Sequence, residues 1–143
     1  MQPTVLLVED SPTDAAIMIA ALQGIGCSEK VQVAQDGAEA LNFLAEVTGA
    51  DEATLPRVIL LDLNLPRKTG HEVLNEIKKK PQWQSIPVIV MSSSSASSDI
   101  AKSYQLYANA YISKPISLEN YELIARRIYD FWLKTVKLPV DFQ

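Results

Sequence analysis

VLLVED at residues 5–10 and VILLDLN at residues 58–64 decide the fold. Each is a short run of leucine and β-branched residues, apolar without a break, that ends in acids. A half-exposed strand alternates polar and apolar side chains. An unbroken run belongs instead to a strand covered on both faces, as in a parallel sheet with crossover helices. Working outward, strands are expected at Thr4–Val8, Lys30–Ala34, Val58–Leu61, Pro87–Met91 and Ala110–Ile112, with longer amphipathic stretches between them. That alternation is the pattern of repeated strand–helix units.

Helix starts are signposted. Ser11 can cap the first helix, with Pro12 at its opening position and Asp14 placed to reach back as a capping-box acid; Gly24 or Gly26 ends it. The helix body AAIMIAAL (15–22) is apolar nearly all round, so its periodicity does not say which face meets the sheet, and it can be covered on two sides. Asp36 and Gly37 open a second helix with Ala40, Leu41 and Leu44 on one side, and His71–Lys80 forms a third, stopped by Pro81. Ser117 caps the last helix, whose Tyr121, Ile124, Ala125, Ile128 and Trp132 recur at helical spacing and are expected to face the sheet. Ser92–Ser98 reads as a strand-end loop and Thr48–Pro56 as a polar connection. His71 is read as a surface cap and Cys27 as a half-buried thiol.

The chain has 143 residues, the size of one domain with a core of its own, and its 48% apolar and 21% charged content excludes a disordered polymer. A net charge of -4 and a pI near 5.0 argue against direct nucleic-acid binding. No apolar run approaches the ~20 residues of a membrane span, no secretory leader opens the chain, and a single cysteine fits a reducing compartment. No membrane contact and a cytoplasmic location are expected.

Ligands of open α/β sheets bind outside the carboxyl ends of the strands. There the sequence places Glu9 and Asp10 after the first strand, Asp62 after the third, Ser92 and Ser93 after the fourth, and Lys114 after the fifth. Hard oxygen donors of this kind suit Mg2+. A carboxylate can attack phosphorus to give an acyl phosphate if cations neutralise the developing charge, a role open to Mg2+ and Lys114.

VLLVEDS, ILLDLNLPRKTG, PVIVMSS and AYISKP together resemble the CheY-like receiver domain of two-component systems, over roughly residues 4–135. Ser92 lies 30 positions and Lys114 52 positions after Asp62, spacings similar to compact members of that family. The resemblance implies a flavodoxin-like, doubly wound αβα fold, a five-stranded parallel sheet of order 2-1-3-4-5 with five helices. It implies Asp62 as phosphoacceptor and, as Mg2+ ligands, Asp10, Asp62, the backbone carbonyl of Asn64 and, through water, Glu9. Lys114 and Ser92 would contact the phosphoryl group, with the Lys114–Pro115 bond cis and Ser93 beside the phosphate. Ser92 and Tyr111 would form the switch: Ser92 moves inward and Tyr111 rotates to fill the space. Such a domain is not a classical enzyme; it catalyses its own phosphorylation from a sensor histidine kinase and its own slow dephosphorylation.

After the last helix, FWLKTVKLPVDF (131–142) puts Val136, Leu138, Val140 and Phe142 at every second position. Either the tail folds back, or Phe131, Trp132, Val136 and Leu138 form a homodimer interface. This ending and the 48–56 connection are similar to the cyanobacterial phytochrome-associated response regulators of the Rcp type, which implies a phytochrome-type kinase as phosphodonor. The expected organisation is a single receiver domain over 1–143 with a C-terminal extension from about 131, no output domain, and an unspecified downstream partner reached by binding or phosphorelay. The competing reading is a pseudo-receiver that uses the fold for protein contact alone. A phosphohydrolase would carry its nucleophile after the first strand, and a flavodoxin would carry a hydroxyl- and glycine-rich loop where this chain has EDSPTD (9–14).

Overall fold

The computed structural model describes residues 3–27, 29–50 and 55–142. Its elements follow in strict alternation: β1 (Pro3–Val8), α1 (Pro12–Gly24), β2 (Lys30–Ala34), α2 (Gly37–Ala50), β3 (Val58–Leu61), α3 (Gly70–Lys79), β4 (Val88–Ser92), α4 (Ser97–Gln105), β5 (Ala110–Ser113) and α5 (Leu118–Ile128). The strands form one parallel sheet in the order β2-β1-β3-β4-β5. Every carboxyl end therefore lies on the same edge.

Unbroken apolar strands supply both faces of the sheet. Leu6, Val8, Ile59, Leu61, Val88 and Val90 point to one side and pack with Ala40 and Leu44 of α2 and Val73, Leu74 and Ile77 of α3. Val5, Leu7, Val58, Leu60, Ile89 and Met91 point to the other and meet Ala15, Met18 and Leu22 of α1 and Tyr121, Ala125 and Ile128 of α5. Period-two side-chain alternation thus produces three layers. No helix among the described residues is long and apolar enough to cross a membrane.

Several boundaries differ from the sequence reading. β4 begins at Val88 because Pro87 has no N–H to give to the ladder, although its carbonyl accepts from Ile59 N–H at 2.9 Å. Ser97 and Ser98 belong to α4, and Thr48 and Gly49 to α2; residues 51–54 of the expected connection lie outside the described residues. Helix α1 turns Ala15, Met18, Ala21 and Leu22 inward and leaves Ala16 and Ala20 exposed, so its second apolar side is only partly covered. It ends at Gly24, and Gly26 reverses the chain at φ 87°, a conformation glycine adopts without strain. Cys27 is buried rather than half-buried. Thr69 and Glu72, not His71, cap α3; His71 packs partly buried, its Nε2 2.9 Å from Ser103 Oγ on α4.

The C-terminal segment folds back on its own domain. After α5 the chain takes a π-helical course over Tyr129–Thr135, and the wider turn brings Leu133 instead of Trp132 into the buried position five residues after Ile128. Leu138 is buried, Val140 packs on the core, and Asp141 pairs with Arg57, just before β3. Leu138 is therefore not available as the interface residue expected of it, because its own domain covers it. Phe131 stays half exposed, edge-on to a partly buried Trp132; Val136 is partly buried, and the side chain of Phe142 lies outside the described residues.

Candidate functional site

Strand register assembles the crevice. Val8 pairs with Leu61, so the residues that follow them, Glu9 and Asp62, emerge side by side at the β1–β3 boundary, where α1 and α3 leave the sheet on opposite faces. Asp62 N–H still donates to Val8 O at 3.1 Å, which holds the acceptor against the end of β1. Across the sheet, Lys114 N–H donates to Ser92 O at 2.8 Å and sets the lysine one residue past β5.

Asp62 is 5% exposed. Its Oδ1 accepts the Asn64 N–H at 3.0 Å and its Oδ2 the Lys114 ammonium at 3.0 Å. That ammonium also lies 2.7 Å from Glu9 Oε1 and 2.9 Å from Asp14 Oδ2. One partly buried cation thus faces three carboxylates. Burial opposes the charge on Lys114, but the bonds to Glu9, Asp14 and Asp62 outweigh it and hold the ammonium protonated well above its ordinary range. Glu9 moves the other way: burial, with the Asp62 charge beside it, raises its carboxyl to about 7 despite the Lys114 bond.

A divalent cation would relieve this excess of negative charge. Carboxylate oxygens of Glu9, Asp10 and Asp62 lie within 4.8 Å of one another, two of the residues buried and Asp10 exposed at the rim. An all-oxygen donor set of that spacing fits Mg2+. Asn64 sits at the same edge, its side chain 3.4 Å from Ser93 Oγ, and both residues are exposed.

Ser92 is fully buried, and its Oγ accepts the Ser94 N–H at 3.1 Å, so the hydroxyl keeps its own proton to donate. Tyr111 already packs on the core beneath α4, its phenol donating to Ser94 O at 2.8 Å. The Lys114–Pro115 bond is trans, contrary to the expected cis form; no cis peptide occurs among the described residues. Trans is the lower-energy form by about 0.5–1 kcal/mol for X–Pro bonds, and Lys114 reaches its three carboxylates from it.

Two residues at the site escaped sequence reasoning. Asp14 has the position of a capping-box acid, but its carboxylate holds Lys114 instead. Gly70 lets α3 start against the Asp62–Leu63 backbone, where a Cβ would meet the Asp62 carbonyl oxygen at 2.4 Å. The TGHE stretch (69–72) carried a signal for the second, since a glycine beside the N-cap of a helix that follows the acceptor loop marks a close approach.

Residues 5–126 match the family model of the response regulator receiver domain. The chain is 38% identical over 135 residues to response regulator Rcp1 of Synechocystis sp., covering 94% of this chain and 92% of the relative. It is 36% identical, over 94% of this chain and 86% of the relative, to a probable methanogenesis regulatory protein, FilR2, of Methanothrix harundinacea. A crystal structure of the phosphorylated cyanobacterial phytochrome response regulator RcpA superposes with a TM-score of 0.87 at 40% identity, covering 97% of this chain and 99% of that one. The Mn(2+)-bound form of Rcp1 superposes with a TM-score of 0.83 at 38% identity, covering 96% and 99%.

Proposed function

The chain belongs to the response regulator receiver domain family, and from that premise we propose that it is a phosphorylation switch that accepts a phosphoryl group on Asp62 from a histidine kinase. The observation that carries the reading is the setting of Asp62: a buried carboxylate held at both oxygens, bonded to Lys114 and with further acids within metal-binding reach. In the transfer, an Asp62 carboxylate oxygen attacks phosphorus, the P–N bond of the kinase phosphohistidine breaks, and its electron pair returns to the imidazole. Asp10, Asp62, the Asn64 carbonyl and, through water, Glu9 would hold Mg2+, which when bound neutralises charge on the phosphoryl oxygens. Lys114 and the Ser92 hydroxyl donate to those oxygens, beside Ser93 and Pro115.

The signal leaves through the 93–96 loop. Donation by Ser92 shifts the loop that its Oγ and the Tyr111 phenol both hold, and with it the start of α4. Output is by phosphorylation-dependent protein binding or onward phosphotransfer from this single receiver domain. Likeness to Rcp1 and to RcpA, a phytochrome response regulator, supports a phytochrome-type kinase as phosphodonor. A homodimer is proposed through exposed Phe131 with Trp132 and Val136.

Labelling with acetyl phosphate, read by intact mass, tests the chemistry. The expected result is a phosphoryl-sized gain that requires Mg2+, is absent in Asp62→Asn and is removed by hydroxylamine. No gain from acetyl phosphate or a cognate kinase, in folded protein that binds Mg2+, would leave the pseudo-receiver reading in its place.

A further inference from the structure

Asp14 stands where an acid closes a helix-capping box, and it does not close it. Helix α3 shows the complete motif: Thr69 Oγ1 accepts the Glu72 N–H at 3.2 Å and Glu72 Oε1 accepts the Thr69 N–H at 3.0 Å. Helix α1 has only half. Ser11 Oγ accepts the Asp14 N–H at 3.2 Å, but the Ser11 N–H goes to Glu9 Oε2 at 3.2 Å, and the Asp14 carboxylate turns away to Lys114. A helix-start acid has been diverted into the crevice.

The diversion saturates Lys114. An ammonium has three protons, and here three carboxylates take them: Glu9 at 2.7 Å, Asp14 at 2.9 Å and Asp62 at 3.0 Å. A phosphoryl group on Asp62 adds acceptor oxygens and negative charge, so Lys114 serves it fully only by releasing a partner. Glu9 and Asp62 side chains are 5% and 6% exposed, whereas Asp14 is 34% exposed. Water can replace the lysine at Asp14 more readily than at the two buried acids.

Resting on the phosphoacceptor reading, we propose that Asp14 is a positioning residue that holds the Lys114 ammonium in the unphosphorylated protein and yields it to the incoming phosphoryl group. Its charge acts with opposite sign on the two occupants of the crevice. It favours the metal cation, and it disfavours the phosphoryl anion by repulsion and by competing for Lys114.

Calorimetric titration separates this from a structural role. Wild type, Asp14→Asn and Asp14→Glu are titrated with MgCl2 alone, then with fluoroberyllate, a phosphoryl stand-in, at saturating Mg2+. Asp14→Asn is expected to raise the Mg2+ Kd and lower the fluoroberyllate Kd, each by about threefold or more, with Asp14→Glu close to wild type. Loss of a merely structural contact would weaken both. Should Asp14→Asn fold poorly, Asp14→Ser poses the same question. A fluoroberyllate Kd unchanged or raised in the neutral variant overturns the inference while leaving the phosphoacceptor reading intact. A wild-type protein that binds Mg2+ but no fluoroberyllate overturns both.

Discussion

Replacing Gly70 with alanine tests how the acceptor loop is held. A Cβ there would stand 2.4 Å from the Asp62 carbonyl oxygen and 2.5 Å from Leu63 Cα. Both are backbone atoms, so no change of rotamer relieves the contact. Real Cβ atoms essentially never come within 3.0 Å, so the start of α3 and the Asp62–Leu63 backbone must part by at least 0.6 Å, the difference between 3.0 and 2.4 Å. The Gly70 N–H also donates to Leu63 O at 3.1 Å, and that bond stretches with the same movement. Overpacking of this kind destabilises by about 1–3 kcal/mol. Misplacing a positioned nucleophile by close to 1 Å can slow its reaction by up to about 100-fold. The assay pairs urea unfolding with the initial rate of acetyl phosphate labelling, at a temperature where the variant is fully folded. Gly70→Ala is expected to lower the urea midpoint and to cut the labelling rate by roughly tenfold or more. The control is Gly49→Ala near the end of α2, where a Cβ meets nothing within 4 Å; alanine there should not lower the urea midpoint and should leave labelling unchanged. An unchanged midpoint and rate in Gly70→Ala would refute the close-approach argument.

Three further outcomes are expected. The Glu9 carboxyl is raised to about 7 from 4.5, so the native state binds the proton more tightly than the unfolded chain. Its contribution is then fully present below pH 4.5 and lost as pH rises through about 7, by up to about 3 kcal/mol. Urea midpoints between pH 4.5 and 8 in EDTA should fall more steeply for wild type than for Glu9→Gln, and identical slopes would count against it. Leu138→Ala, which empties a position buried under the folded-back tail, should destabilise by about 2–3 kcal/mol without changing the labelling rate of folded protein; a cost near zero would mean that the tail does not pack there in solution. Lys78→Met removes an ammonium that donates to Gln84 O, Ile86 O and Asn109 Oδ1 at 3.0, 2.8 and 3.0 Å. Three acceptors lose a charged donor, and a destabilisation of about 1–3 kcal/mol by urea unfolding is expected; a variant as stable as wild type would remove Lys78 as a brace between α3 and the sheet.

The strands were legible because burial on both faces leaves an unbroken apolar run, and their order followed from the resemblance carried by four motifs. Asp62, Lys114 and Ser92 were legible for a related reason: polar groups at the ends of such runs stand out against the core they terminate. Helix α1 was not legible in its orientation, since AAIMIAAL offers apolar residues in every direction and only packing against the sheet and α5 selects Ala15, Met18 and Leu22. The misreading of Asp14 has the same origin. A capping acid is a local expectation, and Lys114, one hundred positions away in sequence, competes for it only after the sheet has formed.

The tail shows the limit most clearly. Alternating Val136, Leu138 and Val140 announce that something must cover them, but a pattern of hydrophobicity does not name its partner. Arg57 and the entrance to β3 become that partner once the π-helical turn after Ile128 redirects the chain. Sequence alone determined the layered parallel sheet and the chemical identity of the groups along its carboxyl edge, because burial and residue chemistry are local properties. Tertiary structure decided how those groups share one ammonium, which apolar faces meet and where residues 133–141 pack, because each is a competition among residues distant in sequence that is settled by geometry.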